Sequence, residues 1–574
     1  MNQHDAATCA RSDLEAWREN VWQGRLDRNP LFSRLLRRHL GARYAECESQ
    51  LRRVADETGP QFNKLVMESN RDENLPLLRR HDADGRPIEE VVFHPAYHAV
   101  GQVFWSSGVL AVLTEPGSEV MCGAIAYLLD QHGEAGHACP VACTAGAIKL
   151  LQKLGSDDQR RRYLPSLLEI NYDRRLHAAQ FVTEVQGGSD VGLNTCQAVP
   201  EANRPGWYRI SGEKWFCSVA DAGLFVVSAR LEGAPAGTEG LGLFLVPRMI
   251  NGAPNGFALR RLKYKLGTRS MATGEIEFDG ALGEAIGPLE DGFRNLVGIV
   301  LDTSRVHNAL AACGSMRRAL VEAHSFAQIR LAFDRRIIEF SLVQEILARM
   351  RLRTMAGLAT TFRLLAMTDQ AGTVEANDEL AAARRIGVMI NKYWTAVAST
   401  LTIREGIEIL GGNGTIEDFS VLPRLYRDAI VVESWEGTHN TLCAQVLRDF
   451  ANRGLHSAWL RQLGGEIEGL THLELGHHVT RVRDLHREVS NRIELLVASD
   501  PQTAAAHIRH VVDWMCRLTD VVVLLTQAQW DLEHGEGREV IDALELYRLL
   551  ELERANPQDN PELTKLNGRL ASKL

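Results

Sequence analysis

This chain of 574 residues contains no apolar run of the ~18 residues that a membrane-spanning helix requires, so no membrane span is expected. Its first 30 residues are charged and hold no apolar signal core, which argues against a secretory leader. Ten cysteines are present, but none forms a CxxC pair. Scattered thiols fit a reducing compartment rather than a disulfide framework. No GxGxxG opens a βαβ unit, so a Rossmann dinucleotide fold is not expected. Positive charge is not in excess: 64 basic residues face 73 acidic ones, for a net charge of −9. That balance argues against a broad nucleic-acid surface. No internal repeat or low-complexity tract stands out, which removes the solenoid architectures.

What remains has the composition of a globular protein, 45% apolar and 24% charged. The chain is too long for one core, so several domains are expected. Residues 1–177 read mostly as helices. Apolar residues recur at three- and four-residue spacing from Leu14 to Arg28 and from Leu31 to Leu51, with further runs at 116–132 and 140–154. A polar break, HDADGR at 81–86, is closed by Pro87. The period changes at 178–286, where AAQFVTE, GWYRISGEKWFCSV, GLFVVSAR, LGLFLVP and TGEIEFDG read as strands between turn residues. Residues 287–453 return to long helices, at 290–331, 338–372, 376–411 and 437–453. Residues 454–574 form a further helical block whose most apolar stretch is 503–535. From 455 onward it holds 13 Lys/Arg against 19 Asp/Glu. The fold class is α+β, mainly α. The segment HACPVAC at 137–143, with His132 nearby, matches no common zinc spacing, and Pro140 reads as a helix start, so no metal site is expected.

Several stretches carry chemistry. In 424–447, RLYRDAIVVESWEGTHNTLCAQVL, Glu436 follows an indole and precedes Gly437, Thr438 and Asn440. A carboxyl in an apolar pocket has a raised pKa and makes a better base. Gly437 lets a ligand approach, and Thr438 and Asn440 add small polar groups. In FVTEVQGGSD, at 181–190, a strand ends in a glycine turn capped by Ser189, whose backbone N–H groups could cradle an oxyanion. In GEKWFCSV, at 212–219, Trp215 offers a flat face beside Cys217 and Ser218. Asp302, Ser304 and Arg305 open a long helix. Arg330 and Phe333 share a helical face, with Gln344 following. REGIEILGGNGT, at 404–415, ends a helix in a glycine-rich turn.

In order, spacing and context, these stretches resemble the acyl-CoA dehydrogenase family. Its pattern runs (M/V)TEPxAGSD, KxWIT, DxxR, RxxF…Q, QxxGGxGY and YEGT, and the resemblance covers about residues 95–453. It implies an FAD flavoprotein with an N-terminal helical domain (1–177), a middle β-barrel or sandwich (178–286) and a C-terminal four-helix bundle (287–453), followed here by the added block (454–574). By this likeness Glu436 is the base that takes the α-proton of an acyl-CoA. Val182, Thr183, Ser189, Trp215 and Phe216 hold the flavin, with Cys217 or Ser218 near its N5. Arg330, Phe333 and Gln344 reach the FAD of a neighbouring subunit, with Gly411 and Gly412 at its pyrophosphate and Thr438 and Asn440 also in contact. Ser189, Asp302, Ser304, Arg305 and Gly437 line the acyl-CoA site.

The same likeness implies an electron-transfer flavoprotein as acceptor and a homodimer or homotetramer. Four positions depart from the pattern: Gln186 for Pro, Cys217 for Thr, Glu408 for Gln and Thr415 for Tyr. LRRHDADGRPIEEVVFHPAYH, TEVQGGSDVGLNT and RLKYKLGTRS are similar to the alkylation-response, AidB-like branch, as is the added block. In that branch some members have weak dehydrogenase activity and the block is linked to DNA. The acidic balance of the block argues against DNA here. A flavin oxidase or monooxygenase on the same fold is the other alternative; those often lack the EGT carboxylate. A cytoplasmic location is expected, or a peroxisomal one in a eukaryote, since Ser572-Lys573-Leu574 matches that address.

Overall fold

The structure, a computed structural model, describes residues 3–22, 25–115, 117–373, 378–555 and 560–574. It divides into two compact units, Gln61–Ser118 with Glu134–His307, and Met1–Pro60 with Glu119–Gly133 and Asn308–Leu574. No helix among the described residues is long and apolar enough to cross a membrane.

The first unit is built on a barrel. A hairpin, β1 (Leu77–His81) and β2 (Pro87–Val92), comes earlier in the chain, where helices were expected. Its turn is the HDADGR break, closed by Asp82 N–H donating to Arg86 O (3.0 Å). Among the described residues seven strands form the main sheet: β3 (Ala178–Phe181), β4 (Gln197–Pro200), β5 (Trp207–Ser218), β6 (Leu224–Leu231), β7 (Leu241–Pro247), β8 (Phe257–Leu262) and β9 (Thr273–Ala285). The pairings β9–β5, β5–β4, β4–β6, β6–β7 and β7–β9 close a ring; β8 extends from β9 and β3 from β6. Closure leaves the ring without an open edge. One edge of β6 is shared, with β3 parallel along Leu224–Val227 and β4 parallel at Arg230–Leu231. Phe225 anchors the interior against Phe181 (4.8 Å) and Phe257 (5.7 Å).

The expected helix start at Pro140 is corrected. The helix runs Ala135–Leu154 with Pro140 inside it, capped by the Glu134 carboxylate, which accepts from Gly136 N–H (2.8 Å). Proline cannot donate to the carbonyl four residues back. That carbonyl, Gly136 O, accepts instead from the Tyr97 hydroxyl (2.8 Å), which removes the cost of the missing bond.

The second unit is helical. The helix Asp302–Ile329 begins in the first unit and continues here; Ser341–Thr373, Asp378–Leu410 and His439–Arg453 follow. The expected starts at 116 and 376 lie outside the described residues, as do 23–24 within the expected Leu14–Arg28 helix, which here ends at Asn20. One helix was not expected: Leu422–Ser434, with Pro423 in its first turn and Leu422, Leu425, Ala429 and Val432 buried on one face. Phe32 packs on Tyr127 (4.8 Å) and Phe362 (5.6 Å) in the core. The added block belongs to this unit. Buried Arg34 pairs with Asp531 (3.1 Å) and Glu539 (3.4 Å), and Arg351 also pairs with Glu539.

Candidate active site

In the barrel unit, the residues expected at a flavin sit where β3 ends beside β5. Trp215 N–H donates to Thr183 O (2.9 Å), and Asn194 Nδ2 donates to Val182 O (2.6 Å), so the strand end is held from both sides. A buried ion pair sets this edge: Lys214 Nζ lies 2.8 Å from Glu184 Oε1, and both side chains are sealed from solvent. Glu184 also accepts from the backbone N–H groups of Thr195 (2.6 Å) and Cys196 (3.1 Å). Burial pushes its carboxyl up, but Lys214 and these donors outweigh that and hold it below its usual range. Both residues stand inside motifs read from the sequence, yet neither was given a role. Gly188 is required, because a Cβ there would lie 2.9 Å from Thr183 Oγ1.

Alternation along β5 divides the small side chains. Cys217 is completely buried, with its thiol donating to Lys214 O (3.4 Å), and burial pushes that thiol up. Ser218 is half-buried with its hydroxyl 3.2 Å from Thr273 Oγ1. Phe216 is exposed, and Trp215 is half-buried. Lys263 Nζ stands 3.3 Å from the centre of the Trp215 ring and 2.7 Å from Glu275, a cation–π contact the sequence did not announce. Ser189 is exposed. A π-helical turn, Leu296–Leu301, precedes Asp302. Ser304 is buried and exchanges hydrogen bonds with Gln180 of β3 (2.9 and 3.3 Å); Arg305 is buried and Asp302 half-buried.

In the helical unit, the loop Trp435–Thr438 joins the helix Leu422–Ser434 to the helix His439–Arg453. Glu436 adopts φ +56°, a region non-glycine residues seldom occupy, and Gly437 follows at φ +103°. Thr438 caps the next helix, its hydroxyl accepting from Thr441 N–H (3.4 Å). The loop is held from beneath by Lys392, a lysine in the long apolar helix with no exposed surface. Its Nζ donates to Glu433 O (3.0 Å) and Gly437 O (2.9 Å), bracketing Glu436. Trp435 packs on Ala312, Ala396 and Val432. Glu433 accepts from Thr400 and lies 3.6 Å from His439, whose pKa is lowered by burial and by Lys392. Asn440 is exposed, and its side-chain oxygen accepts from Arg509 of the added block (2.6 Å).

The remaining expected residues also lie in this unit. Gly411, at φ +62°, and Gly412 are exposed, and nothing stands within 4 Å of where a Cβ would sit on either. Arg330 and Phe333 do not share a helical face as expected, because the helix stops at Ile329 and a short hairpin follows, Leu331–Ala332 paired with Arg335–Arg336. Phe333 stands at its tip, 91% exposed, and Arg330 is exposed at its foot. Gln344 is half-buried instead. Its amide donates to Ile338 O (3.0 Å), and its oxygen faces Gly568 of the last helix, which packs along Ser341–Thr373.

Three family models match consecutive parts of the chain: the adaptive response protein AidB N-terminal domain at residues 25–174, the acyl-CoA dehydrogenase middle domain at 179–281, and the acyl-CoA dehydrogenase C-terminal domain at 290–450. The chain is 31% identical to acyl-CoA dehydrogenase family member 11 of Caenorhabditis elegans, over 74% of its own length and 70% of the relative's. It is 36% identical to the putative acyl-CoA dehydrogenase AidB of Escherichia coli, over 65% and 69%. The crystal structure of C. elegans ACDH-11 in complex with C11-CoA superposes with a TM-score of 0.83 at 25% identity, covering 92% of this chain and 90% of that one. The chain therefore belongs to the acyl-CoA dehydrogenase family, an oxidoreductase family, and carries the AidB type of N-terminal domain.

Proposed function

We propose that the protein catalyses α,β-dehydrogenation of an acyl-CoA or a related acyl thioester, with Glu436 as the base. The observation that carries this reading is the anchoring of Glu436 in a left-handed turn by the Lys392 ammonium, which donates to the carbonyls of Glu433 and Gly437. Backbone strain of this kind persists only where the surroundings over-determine it, and it gathers at catalytic positions. The α-proton of a thioester is too weakly acidic for a free carboxylate. The Glu436 backbone N–H therefore holds the thioester oxygen and stabilises the charge that builds there as the Glu436 carboxylate removes the proton.

FAD is the cofactor, and each set of residues fits it. Gly411 and Gly412 form an open cradle suited to a pyrophosphate. In the barrel unit Val182, Thr183, Ser189, Trp215 and Phe216 offer a partly exposed surface, and Ser218 takes the hydrogen-bonding role there because Cys217 is turned inward. When bound, FAD supplies the acceptor for the hydride that leaves the β-carbon. Thr438 and the amide of Asn440 also serve the cofactor, while Asp302, Ser304, Arg305 and Gly437 orient the thioester. Electrons leave to an electron-transfer flavoprotein, and the protein works as a homodimer or homotetramer in which Phe333 and Arg330 serve a neighbour's cofactor. Gln344 is committed within its own chain and is left out of that set.

The test is Glu436→Gln. The purified variant should keep its yellow flavin but lose the bleaching caused by acyl-CoAs of varied length and branching. Retained bleaching would reject the assignment.

A further inference from the structure

A cleft open to solvent in the helical unit is lined by four arginines, Arg25, Arg28, Arg317 and Arg318, together with Trp22 and Gln131. It contains none of the residues assigned above to FAD or the thioester. Arg317 and Arg318 are 6% and 5% exposed and form its floor; Arg25, Arg28 and Trp22 are half-buried and form its mouth.

The charges at this cleft do not balance. Arg318 pairs with Glu322 (2.8 Å). Among the described residues, Arg25, Arg28 and Arg317 form no ion pair with a carboxylate. Arg25 donates to neutral acceptors, Thr58 O (2.6 Å), Leu128 O (2.8 Å) and Gln131 Oε1 (3.3 Å). Arg28 donates to Asn20 O (2.6 Å) and Arg317 to Arg28 O (2.7 Å), which leaves most of the five donors of each guanidinium unused. Glu539, which attracts Arg317 from a distance, is already taken by Arg34 and Arg351. Trp22 adds no negative charge: its ring stacks on His132 (5.1 Å) and lies near the guanidinium carbons of Arg318 (4.3 Å) and Arg25 (5.6 Å). Burial and mutual repulsion bring Arg25 down to about 9 and Arg317 to about 10, so both remain charged at neutral pH. Guanidinium groups clustered above a buried floor of this kind need a counter-charge.

We propose that this cleft is a binding site for the phosphate group of a small molecule, held by Arg25, Arg28, Arg317 and Arg318. A phosphate dianion offers several oxygens to planar guanidinium forks, and its charge matches the deficit better than a single carboxylate does. The floor is too deeply buried for a polymer backbone to reach, and a chain with a net charge of −9 repels polyanions.

Titration calorimetry of the full-length protein against inorganic phosphate, with sodium chloride at equal ionic strength as control, tests the site. Saturable heat and a rise in Tm are expected with phosphate and not with chloride. A parallel titration with AMP distinguishes a phosphate monoester from the free ion; saturable binding of either supports the site. Arg317→Met keeps the apolar stem and removes one repelling charge. It should match the wild type in Tm without phosphate, yet bind at least about tenfold more weakly, as loss of a charge-assisted pair requires. Arg28→Gln, at the mouth, should weaken binding in the same direction and serves if the first variant does not fold. If neither phosphate nor AMP gives saturable heat, or if a folded variant binds as tightly as the wild type, the proposal is overturned.

Discussion

Lys392 Nζ lies 2.9 Å from Gly437 O, and through its second bond to Glu433 O it spans both sides of the proposed base. Lys392→Met preserves the volume of the stem but removes the ammonium donor from two partly buried carbonyls. Loss of these charge-assisted bonds should cost about 2–3 kcal/mol of stability. A loop free to shift by an ångström should lower kcat roughly a hundredfold. A thermal melt and steady-state kinetics on the flavin-loaded variant would measure both. Wild-type kcat with a lowered Tm would confine Lys392 to holding the fold.

The pairing of Glu184 with Lys214 gives a second prediction, because neither side chain reaches water. Removing one partner leaves the other charged and buried, so Lys214→Met should destabilise the barrel unit by about 3–5 kcal/mol. The sign with pH follows from the depressed pKa of Glu184. Its contribution is present above the ordinary glutamate range and is lost as pH falls through the lower folded value. Acid-unfolding curves of the wild type and of Lys214→Met should therefore converge at low pH. Parallel curves would show that the pair carries no linkage.

Much of the fold could be read from periodicity. The runs that became β5, β6, β7 and β9 are long, rich in β-formers and bounded by glycine or proline, so local pattern and final structure agree; β3, though four residues long, was read within the longer run AAQFVTE. β4, with four residues, and β8, with two arginines, carry too little pattern to be read alone. Pro140 misled because its cost is removed by Tyr97, 43 residues earlier in the chain. The glycines and acid of the base loop were visible as a motif. Lys392 was not, since a lone lysine in an apolar helix says nothing of which carbonyls it will meet. Gln344 and Asn440 were read with the family's pattern in view, which says nothing of Gly568 and Arg509, the residues of the added block that face them.

Asp520 joins the added block to the bundle and gives the block its own pH signature. It accepts from Thr360 (3.1 Å), Trp394 Nε1 (2.7 Å) and Tyr547 (2.9 Å), yet burial pushes its carboxyl up to about 6. A carboxyl raised in the folded state binds its proton more tightly there. Stability is then greatest below the ordinary aspartate range and falls as pH rises towards about 6, by on the order of 3 kcal/mol. Asp520→Asn should remove its own share of this slope, leaving those of Asp531 and Asp130, which burial raises in the same direction. Asp520→Ala should instead lose about 2–4 kcal/mol at all pH values by orphaning three donors. Chemical denaturation from pH 4 to 8 separates the two, and an unchanged slope in Asp520→Asn would refute the assignment.

Phe333 is placed against its own conformational preference and against water at once. It holds φ +52° at a hairpin tip, Asp334 follows at φ +62°, and its ring is 91% exposed. A two-residue turn with both φ values positive favours Asn-Gly or Gly-Gly, so an aromatic there costs about 1 kcal/mol or more. Within the chain the exposed ring meets Phe340 edge-on at 6.5 Å, the long end of the aromatic range, which is too loose to offset that cost, so the benefit is sought outside the chain. Phe333→Gly should therefore leave Tm unchanged or raise it by a few degrees, because the turn is relieved and no core contact is lost. If the ring serves a neighbouring subunit's cofactor, the same change should loosen assembly and speed FAD loss on dilution, read by sedimentation velocity and by flavin fluorescence. A lower Tm with assembly intact would mean the aromatic tip supports its own chain, and its role at a neighbour would fall.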